Sequence, residues 1–163
     1  MSEPIPRQVS IPSWRNAPTV YLAGPIKGMS FTNAVEWRED VTQHLNSYGI
    51  AVFNPLAHSH HLAGEENIKN TYENNPVSSQ RGVFMHGKFA VMRADAILAV
   101  FNGSREASIG TSFELAWAHM AHKPVVSVIP NGNVHNHPFI VEASDFVVRT
   151  LEEAINIIVG LLK

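Results

Sequence analysis

Five short, almost uninterrupted apolar runs are spaced along this chain of 163 residues, and stretches of helical periodicity separate most of them. Short apolar runs bounded by turn residues are typical of strands buried on both faces, and strands that alternate with helices form parallel sheets. The pattern predicts a parallel α/β sheet with helices on both sides. Its predicted strands are 19–23, 50–53, 95–101, 124–129 and 146–148, and its predicted helices are 33–48, 79–93, 111–122 and a last one from Thr150.

Length and charge narrow the possible functions. At 18.0 kDa the chain is one domain, expected at 18–163, with residues 1–17 as a loose tail that lacks the apolar core of a signal peptide. No apolar run is long enough for a membrane span, and a net charge of −2 provides no cationic field for a nucleic-acid polymer. With no cysteine, disulfides and thiolate chemistry are excluded. We expect a cytoplasmic protein with a small-molecule ligand.

Two loops rich in small residues follow predicted strands, where parallel α/β sheets bind ligands. Gly24, Pro25, Ile26, Lys27 and Gly28 form the first, in which glycines allow backbone N–H groups to approach an oxyanion and the lysine supplies charge for a phosphate. The second, 107–110, leads into the predicted helix 111–122, whose first turn is expected to hold a lone carboxylate, Glu114. A helix N-terminus keeps such a carboxylate ionised and attracts anions, so Glu114 is a candidate nucleophile.

Simpler interpretations exist for several of these residues. Thr111-x-x-Glu114 also matches a capping box, as does Thr150-x-x-Glu153, but Glu114 is placed where the sheet opens. Tyr21 is expected in the core, although its hydroxyl would hold Glu114 in position if it faced the cleft.

Metal binding by the histidines is a weaker interpretation. His58, His60 and His61 lie in an irregular polar stretch, 55–79, which is expected to be a functional loop; no carboxylate at ligand spacing completes a metal site there. We therefore expect no metal there, and a carboxylate nucleophile needs neither a metal nor an organic cofactor.

Three segments, in order, resemble the nucleoside 2-deoxyribosyltransferase superfamily: residues 20–28 (VYLAGPIKG), 93–100 (RADAILAV) and 110–116 (GTSFELA). The correspondence covers about residues 19–150. The resemblance implies a flavodoxin-like, five-stranded sheet and an active-site glutamate that attacks the anomeric carbon of a ribosyl or deoxyribosyl unit. Glu114 matches that nucleophile, and Tyr21 matches the tyrosine that orients it.

The resemblance also distinguishes two branches. Transferases acting on free nucleosides carry an Asp six positions before the nucleophile, whereas hydrolases of nucleoside 5′-monophosphates carry a Ser, which this chain has at Ser108. A phosphate and a carboxylate a few ångströms apart would repel by about 4 kcal/mol at an effective dielectric near 20. Lys27 likewise resembles the basic residue of the first loop in the nucleotide-cleaving branch.

One position departs from the family. Where relatives carry an Asp eight residues before the residue matching Asp95, this chain has Gly87, so base recognition or leaving-group protonation must differ, with His86 or the 58–61 region as candidates. Family members are commonly dimers in which a neighbouring subunit completes the pocket, and the spacing before Ser144 assigns that place to His137. The residues expected to bind substrate are Gly24, Pro25, Ile26, Lys27, Gly28, Ser108, Gly110, Thr111, His86 and His137.

These features predict an N-glycosidase that hydrolyses a nucleoside 5′-monophosphate through a covalent glycosyl ester of Glu114. A 2-deoxyribosyltransferase that exchanges bases is the nearest alternative. The phosphoribohydrolases that activate cytokinins share a Gly-Thr-x-x-Glu element, but the Pro-Gly-Gly that precedes it in them is missing here. A module that binds nucleotides without turnover is the alternative from another class, and Gly87 gives it weight.

Overall fold

A five-stranded, all-parallel sheet in the order β2-β1-β3-β4-β5 forms the centre of the protein. The computed structural model describes residues 16–163 apart from 58, 73 and 104, so the tail expected at 1–17 lies almost entirely outside the described residues. The elements, in chain order, are β1 (Thr19–Ala23), α1 (Phe31–Ser47), β2 (Ala51–Phe53), α2 (Gln80–Arg93), β3 (Ala96–Val100), α3 (Ile109–Met120), β4 (Val125–Val128), α4 (Pro138–Glu142), β5 (Phe146–Val148) and α5 (Leu151–Leu162).

The predicted fold class is confirmed, because this strand order is that of the flavodoxin-like folds, with helices on both faces. Alternate residues of each strand point to opposite faces, so β1 divides its side chains between two cores. Val20 and Leu22 pack with α1 and α5, whereas Tyr21 and Ala23 pack with α2, α3 and α4. Strand order reverses between β1 and β3, and the loops that leave these two strands flank the place where such sheets bind ligands.

Several predicted boundaries were wrong for local reasons. Helix α1 begins at Phe31, two residues before its predicted start, because Ser30 is the N-cap and accepts a hydrogen bond from the Asn33 N–H. Helix α3 begins two residues earlier than expected, with Ser108 as its N-cap. Helix α4 was not predicted, because its five residues are too few to display a helical period in a loop rich in Gly, Asn, His and Pro.

The expected irregular stretch at 55–79 contains one short 3-10 helix, His60–Leu62, among turns. This stretch is hydrogen-bonded to the loop after β1. The Gly28 N–H donates to the Ile68 carbonyl at 3.0 Å, and the Ile68 N–H donates to the Met29 carbonyl at 2.9 Å. Beneath this pairing a small apolar cluster is buried, formed by Ala34, Leu56, Leu62 and Ile68. The long loop therefore supports the first glycine loop from one side.

Within the described part of the chain, no helix is both long and apolar enough to cross a membrane.

Candidate active site

Tyr21 and Glu114 meet at the switch point of the sheet. The Tyr21 hydroxyl donates a hydrogen bond of 2.6 Å to Oε1 of Glu114, across 93 positions of sequence. Tyr21 is held rigidly because β1 is buried between β2 and β3, and its side chain is 1% exposed. Glu114 lies on the inner side of α3 and is half-buried. Its second oxygen, Oε2, has no hydrogen-bond partner among the described residues, which leaves that oxygen for a ligand.

Burial changes the titration of both groups. It raises the pKa of Glu114 to about 7, against the hydrogen bond from Tyr21 and the positive charge of Arg38, which both lower this pKa. Burial, reinforced by the neighbouring Glu114 carboxylate, raises the pKa of Tyr21 well above its usual value of 10. Tyr21 is therefore a permanent donor at neutral pH, and Glu114 exists both as carboxylic acid and as carboxylate there.

Arg38 is a fully buried cation that the sequence analysis did not identify. It lies on α1, where its Nη1 donates to the Ala34 carbonyl and its Nη2 donates to the Gly24 carbonyl at 3.0 Å. Its Nε has no partner in the described structure. Burial lowers the pKa of Arg38 to about 10, so the guanidinium stays charged at neutral pH. The signal for it was a charged residue on the apolar stripe of α1, in register with Ala34, Val41 and Leu45.

Gly87 brings α2 close to the carboxylate. A Cβ atom at this position would lie 3.2 Å from Oε1 of Glu114 and 3.8 Å from the Tyr21 hydroxyl. The position at which the chain departs from the family pattern is thus next to the candidate nucleophile. His86, its neighbour, is exposed on α2, and no described contact joins it to Glu114.

The first glycine loop is shaped by close contacts. A side chain at Gly24 would place its Cβ 2.7 Å from the Val100 carbonyl, so this approach of the loop to β3 requires glycine. Gly28 has a φ of 79°, which also favours glycine. Pro25 is buried, Ile26 packs on the apolar cluster under the long loop, and Lys27 is exposed with no partner among the described residues.

The start of α3 differs from the predicted one in the turn that holds Glu114 and in the residue that caps the helix. Glu114 is in the second turn of the helix, so the predicted placement in the first turn was wrong. Ser108, not Thr111, is the N-cap: its Oγ accepts from the Thr111 N–H at 3.4 Å and lies 2.9 Å from the Thr111 hydroxyl. The capping box expected as an alternative role for Glu114 is therefore not formed, whereas Thr150 and Glu153 do form one at α5. Gly110 is exposed and leaves open space beside α3.

A cavity of about 540 Å³ lies on the other side of α3 from Glu114. It is bounded by α3 and α4 and includes Ser112, Ala116, His119 and His137. His137 is the N-cap of α4, where its Nδ1 accepts from the Phe139 N–H at 3.3 Å. Within one chain His137 therefore does not join Tyr21 and Glu114.

The remaining candidate residues are the histidines of the long loop and Asp95. His58 lies outside the described residues, and His61 is 3.2 Å from the Ser78 hydroxyl. The described residues include no group of three His, Asp or Glu side chains arranged for a metal ion. Asp95 accepts from the backbone N–H and hydroxyl of Thr19, at the end of the sheet opposite the site.

Comparison with known proteins identifies a family. A family model described as nucleoside 2-deoxyribosyltransferase like matches residues 17–131. No curated protein sequence matches the chain significantly.

Several solved structures share the fold. A conserved protein from Enterococcus faecalis V583 superposes with a TM-score of 0.63 at 16% identity, over 90% of this chain and 99% of that one. The molybdenum cofactor binding protein of Rippkaea orientalis gives 0.61 at 15% identity, over 90% and 98%. The CMP N-glycosidase BcmB of Clostridium botulinum gives 0.55 at 15% identity, over 88% and 99%.

Proposed function

Because this chain belongs to the nucleoside 2-deoxyribosyltransferase-like family, we propose that it hydrolyses the N-glycosidic bond of a nucleoside 5′-monophosphate, with Glu114 as the nucleophile. The observation that carries the proposal is the 2.6 Å hydrogen bond from Tyr21 to Oε1 of Glu114 at the switch point of the sheet. This bond holds one carboxylate oxygen, and the other has no partner among the described residues, which is the arrangement that a carboxylate nucleophile needs.

The reaction proceeds in two displacements. Oε2 of the Glu114 carboxylate attacks C1′, the C1′–N bond breaks, and the base leaves with the bonding electrons and takes up a proton from solvent. Water then attacks C1′ of the glycosyl ester and gives up a proton to solvent, which releases the carboxylate and gives ribose or deoxyribose 5-phosphate, as in retaining glycosidases. Tyr21 keeps its proton throughout and orients Oε1.

Charge at the mouth of the site favours a phosphorylated substrate. Lys27 is an exposed cation on the first glycine loop, and Ser108 caps α3 with a neutral side chain where an Asp would repel a phosphate. The N-terminus of α3, with Gly110 and Thr111 in its first turn, adds partial positive charge. The solved CMP N-glycosidase of the same fold acts on a nucleoside monophosphate, which agrees with this assignment.

The test is a panel of ribonucleoside and deoxyribonucleoside 5′-monophosphates beside their nucleosides, with free base followed by chromatography. We expect base release from a monophosphate and much less from its nucleoside. Glu114→Gln should lower kcat by at least about a thousandfold, because it removes the nucleophile and keeps its shape. Glu153→Gln, at the capping box of α5, is the matched control and should remain active. Unchanged turnover by Glu114→Gln would refute the proposal.

Base exchange is the second candidate, and the family description favours it. Adding a different free base to the reaction distinguishes the two, since a transferase makes a new nucleoside or nucleotide while a hydrolase releases only sugar phosphate.

Binding without turnover is the third candidate, favoured by Gly87 beside the carboxylate and by the fold shared with a cofactor-binding protein. Calorimetric binding of a monophosphate with no product after prolonged incubation would support it.

A further inference from the structure

His135 is a buried polar residue outside the groups considered so far. It follows β4, in the loop before α4, and is 1% exposed. Its ring stacks on Phe101 with centroids 4.3 Å apart. Nδ1 lies 2.9 Å from Oδ1 of Asn133, and Nε2 accepts a hydrogen bond of 2.7 Å from the backbone N–H of Ser108.

The partners of Asn133 determine which ring nitrogen carries the proton. Its Nδ2 donates to the Phe101 carbonyl at 2.5 Å, so Oδ1 must be the atom that faces His135. A carbonyl oxygen only accepts, and therefore Nδ1 of His135 bears the hydrogen. Nε2 of the neutral ring then has the lone pair that the Ser108 N–H requires. Burial lowers the pKa of His135, which favours this neutral form.

Ser108 is held at three points by these contacts. Its N–H is used by His135, its Oγ contacts the Thr111 hydroxyl, and its carbonyl accepts from the Ser112 hydroxyl at 2.8 Å. The bonds to Thr111 and Ser112 lie within α3, whereas the bond to His135 comes from a separate loop. The bond to His135 thus ties the N-cap of α3 to the loop that follows β4.

We propose that His135 is a positioning residue that orients Ser108 toward the 5′-phosphate of the substrate by accepting the Ser108 N–H. The inference rests on the proposed function for the identity of the ligand. Protonation of His135 at Nε2 would point a second hydrogen at the Ser108 N–H and break the bond, so phosphate affinity should weaken in acid. The other titratable groups facing the cavity beside His135 are His119 on α3 and His137 and Glu142 on α4.

Two substitutions at His135 test the role of the hydrogen-bond acceptor separately from the stacking of the ring. His135→Phe keeps the stacking on Phe101 and removes the acceptor, whereas His135→Gln offers an acceptor oxygen near the place of Nε2 and does not titrate. The probe is ribose 5-phosphate, with ribose as the uncharged control, measured by calorimetry at pH 7.5 and at stepwise lower pH. A scalar coupling between the Ser108 nitrogen and His135 Nε2, measured by NMR, reports the bond independently of any ligand.

At pH 7.5 the wild-type protein should bind ribose 5-phosphate, His135→Phe should bind it about tenfold more weakly, and His135→Gln should be within about twofold of wild type. As the pH falls far enough to protonate His135, the wild type should lose more affinity than His135→Gln, which keeps His119, His137 and Glu142. The scalar coupling should be present at pH 7.5 and should disappear only below the usual range of a histidine, because burial lowers the pKa of His135.

Wild-type affinity in His135→Phe, equal loss in the Gln and Phe variants, or no binding of ribose 5-phosphate by the wild type would overturn the inference. The panel assay tests the proposed function separately. Nucleotide cleavage with a KM that His135→Phe leaves unchanged refutes the positioning role alone. Binding of ribose 5-phosphate that depends on His135, in a protein that cleaves no nucleotide, refutes the hydrolase alone.

Discussion

The role proposed for Glu114 sets two properties against each other, since a nucleophile must be ionised and burial favours the protonated form. With its pKa raised to about 7, both the carboxylic acid and the carboxylate are present near neutral pH. Tyr21 and Arg38 both favour ionisation, one by a hydrogen bond and the other by its charge. Two buried neighbours therefore favour the ionised form that the proposed nucleophile requires.

Activity should accordingly fall as pH decreases through about 7, because protonation removes the nucleophile. Tyr21→Phe removes a hydrogen bond that lowers the pKa of Glu114, so the acid limb of kcat should move to higher pH and the rate at pH 7 should fall. Tyr48→Phe, at the exposed end of α1, is the control. The shift is measured in the pH profile of kcat and by carbon NMR of the Glu114 carboxyl. An acid limb that is the same in Tyr21→Phe would contradict this role.

Ser108 allows a clean test of phosphate preference. Asp and Asn are as good N-caps as Ser, so Ser108→Asp and Ser108→Asn should both preserve α3. The aspartate adds a negative charge beside the proposed phosphate and should raise KM for the monophosphate by at least about tenfold, with little change for the nucleoside. The neutral asparagine should leave this preference intact. Equal KM values for the monophosphate in both variants would show that a negative charge at position 108 does not oppose binding of the phosphate.

At the scale of elements, Gly87 on α2 leaves room for the Glu114 carboxylate of α3 and the Tyr21 hydroxyl of β1. Gly87→Ala would place a methyl group 3.2 Å from Oε1 of Glu114, so the carboxylate would have to shift by a few tenths of an ångström from the position in which Tyr21 holds it. Activity should fall by about tenfold or more, even though alanine raises helix propensity by up to about 1 kcal/mol.

Gly160→Ala on α5 is its matched control, because a Cβ there meets nothing within 4 Å. That variant should keep full activity and show an equal or higher melting temperature. Full activity in Gly87→Ala would show that the space beside Glu114 is not needed for catalysis.

The elements themselves could be predicted largely from the sequence. β1 and β5 were predicted with their observed bounds, and the apolar run 95–101 contains β3. Short apolar runs bounded by turn residues are typical of strands that are buried on both faces. The short helix α4 could not be found in this way, and Ser108 was not recognised as a cap because Thr111 offered an equally good local pattern.

Fewer contacts of the candidate site could be predicted from the sequence. The pairing of Tyr21 with Glu114 was expected from the family resemblance, and the adjacency of β1 and β3 explains how residues 93 positions apart meet. Arg38 and His135 depend on tertiary contacts that no local pattern encodes. A buried charge on an apolar stripe was the available signal for Arg38, and none pointed to His135.

At the scale of the whole molecule, the two main helices on one face of the sheet present apolar side chains to solvent. On α3 the outward stripe consists of Ile109, Phe113, Ala116 and Met120, and on α2 of Met85, Phe89 and Met92. Glu114, the one acidic residue of α3, points inward. With about 200 Å² for a large apolar side chain, the exposed fractions leave on the order of 700 Å² of apolar surface. That exceeds a typical monomer's largest patch, about 300–600 Å², and approaches the roughly 800 Å² that each partner buries in a stable complex.

A second copy of this chain is the occupant that we propose for this surface, because a two-fold dimer covers the same patch on both partners at once. Light scattering after size exclusion should give about twice the 18.0 kDa of one chain. The double variant Phe89→Lys with Met120→Lys places a cation on each helix and should be monomeric, while Leu161→Lys, an exposed apolar position on α5, should remain dimeric. The neighbouring subunit would then be expected to bring His137 close to Glu114. In that case the monomeric variant also loses kcat/KM, and His137→Ala causes the same loss in the dimer. A wild-type protein that stays at 18.0 kDa at tens of micromolar would show that this apolar face has no partner of its own kind.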